Sequence, residues 1–357
     1  MTRVACLMMQ KNEVLLLRPW LLYHGYLFGY ENLFVYDNGS SEPAVKAILA
    51  QFRTLGVNVD KSHPTLDGFS NKGNLFSDQI RHFRDKGRYD VVLPMDCDEF
   101  AAIERPGGYS CGRNEILAEL RRIDWDSLIC RTQDCLYSLP GCFDLFERAG
   151  HQKCIVSVNR FKLIDHGFHQ AALEPGESYA ATSLIYLHLR HRPYASFIAN
   201  AKDKLRPWTD PDDLAGLQSY DLTGQHLVAY LSMTEDKYYS FRFTSQPALK
   251  FDGLRDFLAA HMDVAALIGA WAGRSPAAPA AGGSSFQDLR AMGLQAMQDE
   301  NFAAAADIWA QCRVLFPTEE EGYLYGAVAA KAAGDEALLS QIRAAQERIF
   351  PNIFNQA

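Results

Sequence analysis

A chain of 357 residues, 48% hydrophobic and 22% charged, has room for one large domain and a smaller one. Its formal net charge of −8 argues against a general nucleic-acid binder, since neutralising phosphates needs an excess of Lys and Arg. The opening MTRVACLMMQKNE has no long apolar core before a cleavage site, and Val14 to Gly29 is too short for a bilayer span and is broken by Arg18, Pro19 and His24; a cytoplasmic protein is expected, with membrane contact at most peripheral at the inner face.

VACLMM (Val4 to Met9) predicts a buried strand ended by QKNE. Leu16, Trp20, Tyr23, His24 and Leu27, at three- and four-residue spacings, predict a helix, with His24 on its apolar face as a core residue. NLFVYDNGSSE reads as a second strand running into a turn. A helix from about Glu42 to Leu55, a strand GVNVDK, a helix from about Asn74 to Lys86 and a strand YDVVLPMD follow. Strict alternation of this kind predicts a parallel α/β sheet, in which ligands collect at the carboxyl ends of the strands. The clusters QKNE, YDNGSS and DCDEF all fall at such ends.

From about Ser127 to Leu189, SLICRT, KCIVSVNRFKLI and SLIYLHLRHRP read as strands without long helices between them, a mixed or antiparallel extension of the sheet. Polar and aromatic segments continue to about Trp271, so residues 1–272 form the main domain. Residues 273–285, GRSPAAPAAGGSS, read as a linker, and residues 286–357 as a small all-α tail. In that tail LFP (Leu315 to Pro317) recurs as IFP (Ile349 to Pro351), and Gly293, Ala305 and Trp309 match the small and aromatic positions of a tetratricopeptide repeat. The tail resembles one to two such helical hairpins, which implies a surface for a protein partner. The eight cysteines form no CxxC pair and no zinc-ligand pattern, so reduced thiols are the simpler reading.

The stretch RYDVVLPMDCDEFAAI gathers Asp96, Asp98 and Glu99 at the mouth of a buried strand. Such acids lose hydration and repel one another, so a divalent metal, a basic side chain or water must answer them. Residues two apart on a strand point to the same side, so Asp96 and Asp98 can aim at one point where strand gives way to loop. Two carboxylates with a diphosphate would suit Mn²⁺ or Mg²⁺; solvated loop acids or helix caps are the plain alternative.

Asn12-Glu13, Trp20, His24, Gly29, YDNGSS (Tyr36 to Ser41) and MDCDEF (Met95 to Phe100), in order between Val4 and Leu205, resemble bacterial family 2 glycosyltransferases of the branch NE…W…YH…G…YDNxSxD…DxDEF, related to family 92. Glu42 stands where that branch usually has Asp. The resemblance implies a GT-A fold, a Rossmann-like mixed α/β sheet, and a metal-dependent transfer from a nucleotide-diphosphate sugar to a glycan, lipid-linked or protein acceptor, with inversion. It implies that Asn12, Glu13, Asp37 and Asn38 line the nucleotide pocket and that Asp96 meets ribose or metal. Asp98 would be the main metal ligand and His188 the third, with Glu99 behind them or on the acceptor side. Arg190 and Lys202, from YLHLRHRPYASFIANAKDK, would stabilise the departing diphosphate, and His166 or, better, His169 would lie near the acceptor.

An inverting transfer also needs a base for the acceptor hydroxyl. Asp134, Asp165, Glu174 and Glu177 lie in the right half of the chain, with Glu174 and Asp165 preferred. A phosphohydrolase built on an Asp-x-Asp pair is disfavoured, because Phe100 stands where those enzymes carry a hydroxyl residue or Val. The other alternative is a non-catalytic nucleotide-sugar-binding or scaffold protein that uses its helical tail for partners.

Overall fold

The computed structural model describes residues 2–125, 129–174, 176, 179–206, 208–217, 220, 225–240, 248–272, 286–315 and 320–349. The chain divides into two compact units, Met1–Ser275 and Pro276–Ala357. The first unit begins with β1 (Val4–Gln10), α1 (Leu17–Phe28), β2 (Leu33–Asp37), α2 (Pro43–Thr54) and β3 (Asn58–Asp60). A short α3 (Leu66–Ser70) leads into α4 (Lys72–Asp85) and then β4 (Val91–Asp96). All but α3 are read from the hydrophobic pattern.

β1 shows why the pattern was continuous rather than alternating. All seven of its residues are buried. Val4, Cys6 and Met8 enter the core on one face of the sheet, while Ala5, Leu7 and Met9 enter the core on the other. β1 is parallel to β2 and to β4, and β2 is parallel to β3. A parallel strand covered on both sides has no solvent face to carry polar residues.

Beyond β4 come β5 (Glu99–Arg105), β6 (Gly108–Ser110), α5 (Arg113–Arg122), β7 (Ile129–Arg131), β8 (Asp134–Ser138) and β9 (Leu145–Arg148). They are followed by β10 (Cys154–Ser157), β11 (Phe161–Ile164), β12 (Ala171–Leu173), β13 (Tyr179–Ala181) and β14 (Leu184–His188). The main sheet runs β13-β7-β10-β4-β1-β2-β3, and β10 joins β4 antiparallel, so the sheet is mixed as expected. A second sheet contains β9, β8, β14, β5 and β6 together with β15 (Leu249–Lys250), and β11 pairs with β12 as a separate hairpin. KCIVSVNRFKLI, which reads as one apolar stretch, is therefore two strands in two sheets, broken at Val158–Arg160.

Helix α1 ties the two sheets together. Tyr23 Oη donates to the Ala101 carbonyl of β5 at 2.6 Å, and the Ala101 N–H donates to His24 Nε2 at 3.4 Å. His24 Nδ1 lies 3.0 Å from the Trp20 carbonyl one turn back, so the ring carries its proton on Nδ1 and accepts on Nε2. Trp20, Tyr23 and His24 are fully buried, and His24 stacks near Phe100. The W…YH spacing thus grips the strand that carries the acidic motif, and burying each such large side chain contributes roughly 2–3 kcal/mol.

The segment after β14, read from sequence only as polar and aromatic, is largely helical: α6 (Tyr194–Leu205), α7 (Leu214–Leu217), α8 (Gln225–Leu231), α9 (Glu235–Tyr239), α10 (Gly253–Ala259) and α11 (Val264–Ala272). Short helices with mixed aromatic faces carry too few turns for a clear period. The linker expected at residues 273–285 lies outside the described residues. The second unit holds α12 (Phe286–Gln298), α13 (Phe302–Leu315), α14 (Glu320–Ala332) and α15 (Glu336–Ile349), each packed on the next. Trp309 is fully buried against Gly293, where a Cβ would stand 2.6 Å from the indole, and Ala305 is buried beside it. Phe316, Pro317, Phe350 and Pro351 of the LFP/IFP repeat lie outside the described residues.

Candidate active site

Chain order places the site. From β1 the strands run outward through β2 to β3, whereas β4 returns to the opposite side of β1. Strand order thus reverses at β1 and β4, and it is beyond the carboxyl ends at such a point that open α/β sheets form their ligand crevice. Glu13 follows β1, and Asp96, Asp98 and Glu99 follow β4 across that crevice. Arg192 joins its two walls by pairing with Glu13 and lying 3.3 Å from Asp98 Oδ2. Burial alone would lower the Arg192 pKa, but Glu13 and Asp98 reverse that and raise it, so the guanidinium stays charged.

The acids at the end of β4 are answered first by basic side chains. Lys72 Nζ is 2.9 Å from Asp96 Oδ1, and Lys153 Nζ is 3.1 Å from Asp96 Oδ2 and 3.1 Å from Glu99 Oε1. Glu99 is wholly buried, and its Oε2 accepts the Asp96 N–H at 2.9 Å. Desolvation would raise the Asp96 pKa, yet Lys153 and Lys72 together hold it well below the usual carboxylate range. Burial likewise works against the Lys153 charge, and Asp96 and Glu99 overcome it, so its pKa is raised.

Phe168 underlies both ammonium groups, its ring centroid 4.3 Å from Lys72 Nζ and 5.2 Å from Lys153 Nζ. It adopts φ 63°, an uncommon left-handed backbone for a bulky residue, and stacks on Phe76. Gly73 lets this loop approach α4: a Cβ there would meet backbone atoms of Ile164, Asp165 and His166 at 2.9–3.0 Å.

Asp98 has different company. Its Oδ1 lies 3.4 Å from His188 Nε2, and His188 Nδ1 lies 3.6 Å from Glu99 Oε1, so the imidazole stands between two acids. Although burial pushes the Asp98 pKa up, His188 and Arg192 pull it far down, and Asp98 is ionised throughout the physiological range. Among the described residues no group of three or more His, Cys, Asp or Glu side chains is arranged to hold a metal ion.

The sequence expectations divide on this geometry. Asp96 does not offer itself as a metal ligand, because both of its carboxylate oxygens are engaged by ammonium groups. Lys202 turns to Asp212, and the α6 lysine that feels the motif is Lys204. Lys204 is exposed to solvent, yet it is crowded enough by surrounding protein that lost hydration pulls its pKa down, while Asp98 and Asp96 push it up. Glu13, Asp96, Asp98 and Glu99 are matched in number by Lys72, Lys153, Arg192 and Lys204, with Arg190 close by beyond Tyr137.

Asn12 holds its loop: its Oδ1 accepts the N–H groups of Ser41 and Glu42, and its Nδ2 donates to Ser41 Oγ. It does so at φ 54°, a conformation asparagine tolerates. Asn38 donates to the carbonyls of His63 and Thr65, and Asp37 accepts from Gln10 Nε2 and from the Ser40 N–H. The YDNGSS cluster is thus a self-bonded turn at the crevice edge. Arg190 packs between Tyr137 and Tyr230, with Tyr137 next to His188.

Neither preferred base has a described contact with the motif acids. Glu174 is exposed at the end of β12 and faces Lys162, while Asp165 accepts from Gly167 N and Gln170 N inside its own turn. Asp134 pairs with Arg148, and Glu177 lies outside the described residues. Of the two histidines nearby, His166 is exposed on one side yet feels both Lys72 and Asp96, and its pKa is lowered to about 4, chiefly by the hydration it loses to surrounding protein. His169 instead bonds the Gln152 carbonyl and stands near His151.

Fold and site together define the class: a mixed α/β, Rossmann-like sheet with a cluster of paired charges at its strand-order reversal. No protein-family model matches the chain, and a comparison with curated proteins finds no match. Among solved structures it is similar to that of S. aureus TarS, at 11% identity and a TM-score of 0.29, with 75% of this chain covered. That match spans 50% of the TarS chain. S. aureus TarS 1-349 matches at 12% identity and a TM-score of 0.30, over 98% of this chain and 92% of the other, and TarS 1-349 in complex with UDP at 11% and 0.29, over 96% and 92%. No helix among the described residues is long and apolar enough to cross a membrane.

Proposed function

We propose that this protein is a glycosyltransferase that moves a sugar from a nucleotide-diphosphate donor to a glycan, lipid-linked or protein acceptor. The observation that carries the reading is the meeting of Glu13, Asp98, His188 and Arg192 at the β1/β4 crevice, beside Asp96 and Glu99 held by Lys72 and Lys153. Fixed charges there need no reorganisation when a diphosphate departs.

Asp98 and His188 supply an oxygen and an imidazole nitrogen, a donor pair that suits Mn²⁺ or Mg²⁺ when diphosphate oxygens and water complete the shell. Such an ion, when bound, acts as a Lewis acid on the leaving diphosphate. Charge balance supports the pairing of metal and donor. The four acids are already matched by bases, so a divalent cation would bring charge that the donor's diphosphate oxygens balance. Lys204, exposed and in no ion pair among the described residues although Asp98 and Asp96 act on it, would meet phosphate oxygens in the role the sequence suggested for Lys202. Asp96 and Glu99 act as anchors that orient the motif loop and the His188 ring.

A thermal-shift screen of nucleotide sugars with and without Mn²⁺ tests the reading. Donor and metal together are expected to raise the melting temperature more than either alone. A panel that produces no shift and no hydrolysis of any nucleotide sugar leaves the scaffold alternative standing instead.

A further inference from the structure

We propose a second anion site at the opposite edge of the main sheet, built to take a phosphate group carried on an organic body. A cavity of ≈ 370 Å³ opens beside the amino ends of β1 and β4, about 20 Å from the crevice, the length of a seven-residue strand. Its wall includes Arg3, Arg88, Arg113 and Arg121, and neither Asp nor Glu lines it. In a chain of net charge −8 this is a local reversal of sign.

Arg3 is already spent, since it pairs with Asp90 at 2.6 Å. The other three have no carboxylate partner among the described residues. Arg88 lies over the Tyr89 ring at 5.3 Å and the Phe34 ring at 5.9 Å. Arg113 donates Nε to the carbonyls of Tyr26 and Leu27, leaving its terminal nitrogens available, and Arg121 is exposed on the last turn of α5. The floor between them is apolar, formed by Leu27, Phe28 and Leu120.

Helix ends account for part of this accumulation. α1, α4 and α5 all terminate at this edge, and basic residues suit their negative ends. Among the described bonds, however, Arg113 donates to α1 carbonyls and Arg3 to the Gly87 carbonyl just past α4, whereas the side chains of Arg88 and Arg121 donate to no helix-end carbonyl. A planar fork of donors is suited to bidentate recognition of phosphate, and an apolar floor suits the body of a phosphate ester or of a phospholipid.

The test uses the full chain and Arg88→Gln/Arg121→Gln, two exposed positions outside the candidate active site, with Arg121→Gln alone as the milder variant. Calorimetric titration with inorganic phosphate reads the soluble source, and co-sedimentation with phosphatidylcholine vesicles, with and without phosphatidylglycerol, reads the lipid source. The double variant is expected to bind roughly tenfold more weakly in at least one arm, the single variant by less, with melting temperature unchanged. Loss in the phosphate arm alone assigns the arginines to a soluble phosphate group, and loss in the vesicle arm assigns them to a headgroup. Wild-type protein that binds neither probe, or variants that bind both as tightly as wild type, overturn the site.

Discussion

Lys153 stands 3.1 Å from both Asp96 and Glu99, so its removal leaves Asp96 with Lys72 alone and Glu99 with only His188, at 3.6 Å. Breaking a buried ion pair from one side costs about 3–5 kcal/mol, because the remaining charge keeps its desolvation penalty. Lys153→Met is therefore expected to lower stability by that order in urea denaturation, and Lys153→Arg to recover part of it. A Met variant as stable as wild type would mean that the cluster is hydrated rather than paired. Asp98 differs, since its partners His188 and Arg192 face the crevice. Asp98→Asn is expected to reduce transfer about 100-fold or more with a smaller change in melting temperature, and full turnover would remove Asp98 from the proposed site. Sequence made the acids visible because DxDEF is local. It left Lys72 and Lys153 unmarked, since neither the start of a helix in SNKGNLF nor the edge of a strand in HQKCIV signals a lysine that burial across 81 residues of chain will bring to one carboxylate.

At the scale of elements, two contacts decide where the site loops sit. α4 begins beside the β11–β12 loop with only Gly73 between them, so a single added methyl must push on backbone rather than on a flexible side chain. Gly73→Ala is expected to destabilise by about 1–3 kcal/mol despite its better helix propensity, and to displace Phe168 and His166. Ring shifts of Phe168 in an NMR spectrum would report the displacement, and an unchanged spectrum with raised stability would contradict it. α1 makes the second contact through Tyr23 and His24 on Ala101. The alternation of strands and helices up to β4 was legible because each element is covered on a predictable face. The later strands were legible only as strands: which sheet each joins depends on partners far along the chain, as β14 beside β5 and β8 illustrates. Glu174 and Asp165 were chosen as bases by their place in the chain, and their pairing with Lys162 and with a local turn is a matter of loop geometry that spacing does not encode.

Over the whole molecule, buried neutral histidines set the response to acid. His24 and His191 are fully buried, each with Nδ1 against a backbone carbonyl, and burial lowers their pKa values to about 3 and about 4. Both lie below the unfolded value of roughly 6.5, so between these limits the unfolded chain binds more protons than the folded one. Their contribution is complete above about pH 6.5 and is lost as pH falls. Near pH 5 each adds about 1.4 kcal/mol per pH unit to the slope, or about 2.7 for the two. His166 is left out of that sum because it faces solvent, where water screens the effect. Asp96 and Asp98, with pKa values already below the carboxylate range, change stability in the same direction only at lower pH. Urea denaturation at pH 7.5 and pH 5 is expected to show this fall, and His24→Phe to be less stable at neutral pH yet roughly half as steep between the two. A wild-type slope near zero, or one that His24→Phe leaves unchanged, would mean that His24 is protonated in the fold and that its grip on Ala101 is made with a different set of donors.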